Sequence, residues 1–276
     1  MSHGVLNPSR DPRVEDPSNL WLIDPLARRL VPLAVRHRIS ANMVSVTGLF
    51  IGAAAAIADE QWRQPSWALA GLLISLAWLI ADSLDGMVAR ATGTTSAFGR
   101  ELDGLCDHGV FAALYVALAV SFNDRATWCL VLVAAAAHAV QANLYEAERE
   151  RFHRRLNGSL VEPVGRASRN PGVRFYYWVA TCLDWASAPF DHALAGEPVR
   201  GRMHRDYERA AVPVLRMMVP LSQNLRIIAI FIACFLGRMK SFMWYEIVPL
   251  SLLTAFGVLR HRAVEAKLLR SSSSAS

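Results

Sequence analysis

Residues 67–107 read WALAGLLISLAWLIADSLDGMVARATGTTSAFGRELDGLCD, an apolar run from Trp67 to Ala81 followed by a polar stretch carrying four aspartates. The run does not alternate as a half-buried strand would. With its neighbours it reaches the length of a membrane-crossing helix. Comparable blocks recur at Val110 to Val120 and Ala126 to Val140, separated by short polar stretches. The expected fold is all-α, a polytopic membrane protein with six transmembrane helices at roughly 41–59, 66–88, 104–121, 126–147, 211–236 and 242–260.

Charge sets the expected orientation. The net charge is +6, but the cations gather in the polar segments between apolar blocks, a signature of membrane topology rather than of nucleic-acid binding. Of 29 Lys and Arg, 23 fall on one side of a six-span layout, while Arg63, Arg125, Arg238 and Lys240 occupy the opposite loops. Both termini and the aspartates are then expected to be cytosolic. Residues 1–18 form a polar amino-terminal segment with no apolar signal core. Residues 19–38, NLWLIDPLARRLVPLAVRHR, suit an amphipathic juxtamembrane helix. The six-span membrane domain covers 39–263, with a cytosolic or interfacial insertion at 148–210, where Tyr176, Tyr177, Trp178 and Trp185 suit the headgroup region. The end, 264–276, is expected as a disordered tail. Cys106, Cys129, Cys182 and Cys234 are too scattered for a disulfide framework or a zinc site and read as packing residues. Arg outnumbers Lys 27 to 2, which points toward a GC-rich genome and a bacterial cytoplasmic membrane.

The chemistry lies in the aspartates. Asp82 and Asp85 are three apart and Asp103 and Asp107 four apart, so each pair occupies one helix face. A solvated helix end explains either pair alone. Four carboxylates near membrane depth need cations, and Arg90 and Arg100 are too few to neutralise them. Oxygen-only ligands favour Mg²⁺ or Mn²⁺, and two such ions suit a pyrophosphate substrate. Gly86, Ala89, Gly99 and Gly104 leave room for a nucleotide, and Arg90 is placed for phosphate. A divalent-cation transporter is the reading from another class, but it needs polar groups along a through-path, whereas these aspartates sit at the cytosolic ends.

The stretch resembles the signature of the CDP-alcohol phosphotransferase family, matching every fixed position through Asp82, Asp85, Gly86, Ala89, Arg90, Gly99, Asp103 and Asp107. The resemblance implies an enzyme of phospholipid biosynthesis that passes a phosphoalcohol from a CDP-alcohol donor to an alcohol acceptor and releases CMP. It implies two divalent cations, Mg²⁺ or Mn²⁺, on Asp82, Asp85, Asp103 and Asp107, with Asp107 also the catalytic base. Gly86, Ala89, Arg90 and Gly99 would line the CDP site. The family often shows Pro-Asn, two residues, Thr in its first span; here Ala41-Asn42-Met43-Val44-Ser45 keeps Asn42, carried over as a CDP contact, and a hydroxyl at Ser45. Homodimers are common in the family. CDP-diacylglycerol as donor with a small polar alcohol is the leading reading; a soluble CDP-alcohol with a lipid alcohol as acceptor shares the same signature.

For the acceptor, Arg216, Gln223 and Arg226 in the fifth span are read as lining a headgroup cavity. The competing reading pairs one arginine with a signature aspartate or leaves it at the interface. Arg149, Arg151, Arg154 and Arg155 are read as anchoring a helix to anionic lipid, with recognition of a phosphorylated acceptor as the alternative. A lone His138 in an apolar span reads as a packed, hydrogen-bonded residue.

Overall fold

The computed structural model describes residues 11–122, 124–158, 187–196 and 201–273, and the regular structure among them is helical throughout. A π-helical turn, Asn19–Ile23, leads into α1 (Asp24–Arg36), followed by α2 (Ala41–Glu60), α3 (Pro65–Thr92), α4 (Ala97–Phe122) and α5 (Arg125–Leu156). Then come α6 (187–195), α7 (Arg202–Met217), a 3-10 turn at Val219–Leu221 and α8 (Gln223–Phe235). The chain ends with α9 (Met239–Tyr245), a second π-helical turn at Glu246–Leu250 and α10 (Ser251–Ser273). Local chemistry sets several of these limits. Ser40 caps α2 by accepting from the Met43 amide at 3.2 Å. Pro65 opens α3, and Gly93, at φ 67°, closes it in the left-handed conformation that a side chain would strain.

Five helical runs are long and apolar enough to cross a bilayer: Ala41–Glu60, Pro65–Thr92, Ala97–Phe122, Arg125–Leu156 and Met239–Ser271. The chain is a polytopic, multi-pass membrane protein. The expected span at 211–236 is not a single helix. It breaks after Met217 because Pro220, in the 3-10 turn, has no N–H to donate and Ser222 is extended at ψ 153°, so helix resumes only at Gln223. The resulting α8 has 13 residues, about 20 Å at the rise of an α-helix.

The chain divides into two compact units, one made of 16–139 and 223–248. Its core gathers Trp78, Phe111, Leu114, Tyr115 and Leu118 with Ile227, Ile230, Phe242 and Met243, and Trp78 meets Phe111 edge-on at 5.5 Å. Small residues let the helices approach. A Cβ on Gly52 of α2 would collide with the Val110 side chain of α4, and one on Gly71 of α3 with the Asp59 carboxylate of α2. Within 19–38, α1 buries Ala27 and Ala34 and exposes Arg28, Arg29, Leu30 and Leu33. It is tied to α3 by Ser83 Oγ, which donates to Asp24 Oδ1 at 2.7 Å.

The second unit comprises 1–15, 140–222 and 249–276, with a described core of Val14, Phe152, Phe190, Leu194, Met203, Tyr207, Ala211 and Leu215. Here the arginines after the fourth span depart from the lipid-anchor expectation. Arg151 and Arg155 are buried: Arg151 pairs with Glu148 at 2.8 Å, and Arg155 with Asp191 at 2.6 Å and Glu265 at 2.7 Å. Their spacing from Glu148, three and seven residues, turns all three toward the inside of one helix face. Arg155 also donates to the Tyr207 hydroxyl at 3.0 Å, and burial pushes that phenol up to about 12. Arg149 pairs with Glu15 and Glu146, while Arg154 faces outward beside Glu150. The tail expected from 264 is instead helical to Ser273, because Val264, Leu268 and Leu269 pack on this core. Cys106 and Cys234 are buried as expected and Cys129 is exposed. The insertion's Tyr176, Tyr177, Trp178 and Trp185, with Cys182, lie outside the described residues.

Gly52→Ala is expected to lower the melting temperature of detergent-solubilised protein, since overpacking costs on the order of 1–3 kcal/mol. Adding Val110→Ala opens the space and restores most of it. A Gly52→Ala protein as stable as the parent would disprove this close approach.

Candidate metal and nucleotide site

Two apolar helices deliver the acidic groups. On α3, Asp82 and Asp85 sit in consecutive turns near the cytosolic-facing end expected from sequence, and α4 begins early enough, at Ala97, to hold both Asp103 and Asp107 within regular helix. One carboxylate oxygen from each of Asp82, Asp103 and Asp107 lies within 4.8 Å of the others. Asp85 is more deeply buried and adjoins both Asp82 and Asp103. Its Oδ2 accepts from Ser45 Oγ at 2.5 Å, which ties α2 to the cluster. Asp107 is within hydrogen-bonding reach of Asp82, and its Oδ2 accepts from the side-chain amide of Gln223 at 3.0 Å.

Ionised carboxylates are acceptors only, so carboxylates this close need protons or cations between them. The donor set is all oxygen and partly buried, which suits a hard divalent ion. Asp82, Asp103 and Asp107 form an acidic triad able to bind metal.

The residues read as nucleotide contacts are arranged around the same helices. Arg90 is exposed and its guanidinium folds back along α3, so that a Cβ at Gly86 would lie 3.2 Å from Nη1. At the start of α4, a Cβ at Gly99 would lie 3.5 Å from Asn42 Oδ1, bringing α2 and α4 together where the signature glycine stands. Gly99 N donates to Ser96 Oγ at 3.0 Å. Ala89 is half-buried on the Gly86 and Arg90 stretch of α3.

The three residues read as an acceptor cavity each have a different partner. Gln223 meets Asp107. Arg226 is buried, and its Nη1 donates to Glu246 Oε2 at 2.6 Å and to His138 Nδ1 at 2.7 Å, so it serves a buried ion pair rather than a cavity wall. His138 is thus the packed, hydrogen-bonded residue expected, its ring centroid 4.2 Å from that of Phe111 with the planes tilted by 41°. Arg216 belongs to the other unit, where its Nε donates to the Arg13 carbonyl at 2.9 Å. Reading the sequence missed Ser45 as a partner of Asp85; its place one turn after Asn42, facing the acidic helix, was the available signal.

No curated protein matches this chain. A family model described as CDP-alcohol phosphatidyltransferase matches residues 38–187, which is more than half of the 276 residues and covers α2 to α5 with all four aspartates. The chain is an enzyme of the CDP-alcohol phosphatidyltransferase family, with a CDP-alcohol as its substrate and the membrane as its setting.

Proposed function

We propose that this enzyme moves the phosphatidyl group of CDP-diacylglycerol to a small polar alcohol, releasing CMP, as a step of phospholipid biosynthesis. The observation that carries the reading is the convergence of the Asp82, Asp103 and Asp107 carboxylates with Asp85 against them. Two divalent cations, Mg²⁺ or Mn²⁺, held by these four residues would supply the positive charge that a diphosphate needs in order to bind and to part.

The remaining work falls to the chain itself. Asp107 Oδ1 takes the proton of the acceptor hydroxyl as that oxygen forms its bond to the phosphatidyl phosphorus, and the bond from phosphorus to the CMP oxygen breaks. Arg90 faces the charge that builds on the departing CMP. Asn42, Gly86, Ala89 and Gly99 shape the room for the cytidine diphosphate, where larger side chains would close it. Of the three acceptor candidates, Gln223 stands beside the base, so the acceptor hydroxyl arrives near it.

The same reading sets the frame. The sixth crossing is made by α8, α1 lies at the interface, and both termini and the aspartates face the cytosol of a bacterial cell. The chain works as a homodimer, a proposal that rests on resemblance. Residues 39–263 form the catalytic membrane domain.

Purified protein given CDP-diacylglycerol, Mg²⁺ or Mn²⁺ and candidate alcohols one at a time is expected to release CMP with one of them, and Asp107→Asn to lower the rate by about 10²–10⁴-fold. CMP released only from a soluble CDP-alcohol with a lipid alcohol would reverse the polarity, and release from neither would overturn the proposed reaction. Independently, Asp103→Asn is expected to weaken Mn²⁺ binding roughly tenfold or more, read from the electron paramagnetic resonance of free Mn²⁺. Unchanged affinity would remove Asp103 from the ligand set.

A further inference from the structure

Gln223 opens α8 directly after the extended Ser222, at a helix end whose first amides have no intrahelical acceptor. Such a turn frays unless something holds it, yet its first side chain is the one that meets Asp107. Side chains within the next turn supply the hold. Asn224 Nδ2 donates to Ser18 Oγ and to Asn19 Oδ1, both at 2.7 Å. Arg226, one turn on from Gln223, donates through Nη1 to Glu246 at 2.6 Å and to His138 at 2.7 Å.

The ion pair is buried almost completely, with Arg226 1% exposed and Glu246 0%. Burying two charges among apolar helices is costly, and a pair of leucines fills such a space without the cost. What a buried pair provides instead is register: the guanidinium is satisfied only when α8 has one rotation and one height relative to its partners. The two acceptors lie in different elements, His138 on α5 and Glu246 at the head of the π-helical turn, so they fix α8 from two directions. Irregular turns of that kind are frequent at functional sites.

We propose that Gln223 is a positioning residue for Asp107 and that the buried Arg226–Glu246 pair, with His138, is what sets Gln223 in place. The inference rests on Asp107 as the base of the proposed reaction. By donating to Oδ2, Gln223 fixes the plane of the carboxylate and leaves Oδ1 for the acceptor proton; without it the group rotates away from both the proton and the cluster. Both α8 and Glu246 lie beyond residue 187, outside the matched family segment, while His138 lies within it.

The test compares Gln223→Ala, the apolar double variant Arg226→Met/Glu246→Met, and the triple variant. Three quantities are read for each: melting temperature, Mn²⁺ affinity by electron paramagnetic resonance, and the separate kcat and KM values for donor and acceptor. Gln223→Ala is expected to keep its melting temperature and both KM values while kcat and Mn²⁺ affinity fall roughly 10–100-fold, the usual loss when support for a ligand is removed. The double variant shows the same fall, and the triple is no worse than either, because all three act through one contact. Losses that multiply in the triple, an effect confined to the acceptor KM, or a Gln223→Ala protein with full kcat and affinity would each overturn the proposal. If the double variant does not fold, Arg226→Lys takes its place: it keeps the charge but lacks the planar fork, and its severalfold loss is expected to vanish in the Gln223→Ala background. Should no alcohol support CMP release even in the parent, the reaction assignment fails while the Mn²⁺ readings still decide whether Gln223 holds Asp107.

Discussion

The mutual repulsion of Asp82, Asp85, Asp103 and Asp107 is the constraint around which the first unit is arranged. Like charges at the distances seen here oppose one another by several kcal/mol at a low effective dielectric, so the helices carrying them stay together only if something else holds them and something positive sits between. The holding is done away from the acids, by Trp78 against Phe111 and by the close approach of α2 to α3 and α4 at Gly71 and Gly52. The acids then inherit their positions from packing. They need not stabilise the fold, and their charge stays available for cations and substrate.

Around that cluster, two supporting hydrogen bonds come from two further helices. Ser45 on α2 serves Asp85, and Gln223 on α8 serves Asp107. Each is a neutral donor given to an acid, which steadies the anion without cancelling the charge that a metal needs. An arginine in either place would compete with the cations for the same oxygens. The structure puts its arginines elsewhere: Arg90 toward the exposed side, and Arg226 in a separate buried pair.

What could be read from sequence divides along a physical line. Features encoded within one helix were legible: the spacing of the acidic pairs and the apolar lengths of α2 to α5. Features that depend on a partner far along the chain were not. Arg155 looks like part of a solvated run because its acceptors, Asp191 and Glu265, stand 36 and 110 residues away. The break at 218–222 was hidden because apolar residues continue on both sides of it, and hydropathy does not register a missing amide at Pro220. Arg226 was a nearer miss. An arginine inside an apolar block demands an acid, and Glu246 is the one acidic residue in the 242–260 block, but the four signature aspartates offered competing partners.

The first unit buries the Arg226–Glu246 pair, and the membrane setting explains why. Helices in lipid gain little from apolar contact with one another, since the lipid chains are as apolar as leucine, so neighbour and register must be chosen by close-packed small residues or by polar groups with few acceptable partners. Long helices such as α2 and α3 have room for the first device, with Gly48, Gly52 and Gly71 set along them. The 13 residues of α8 do not: its sequence, QNLRIIAIFIACF, contains no glycine, and an apolar face of bulky isoleucines can slide by a residue at little cost. Polar anchors are the remaining means of fixing it. Those anchors, Gln223, Asn224 and Arg226, all fall in its first turn, at the end that meets the acidic cluster, where a slip would matter most.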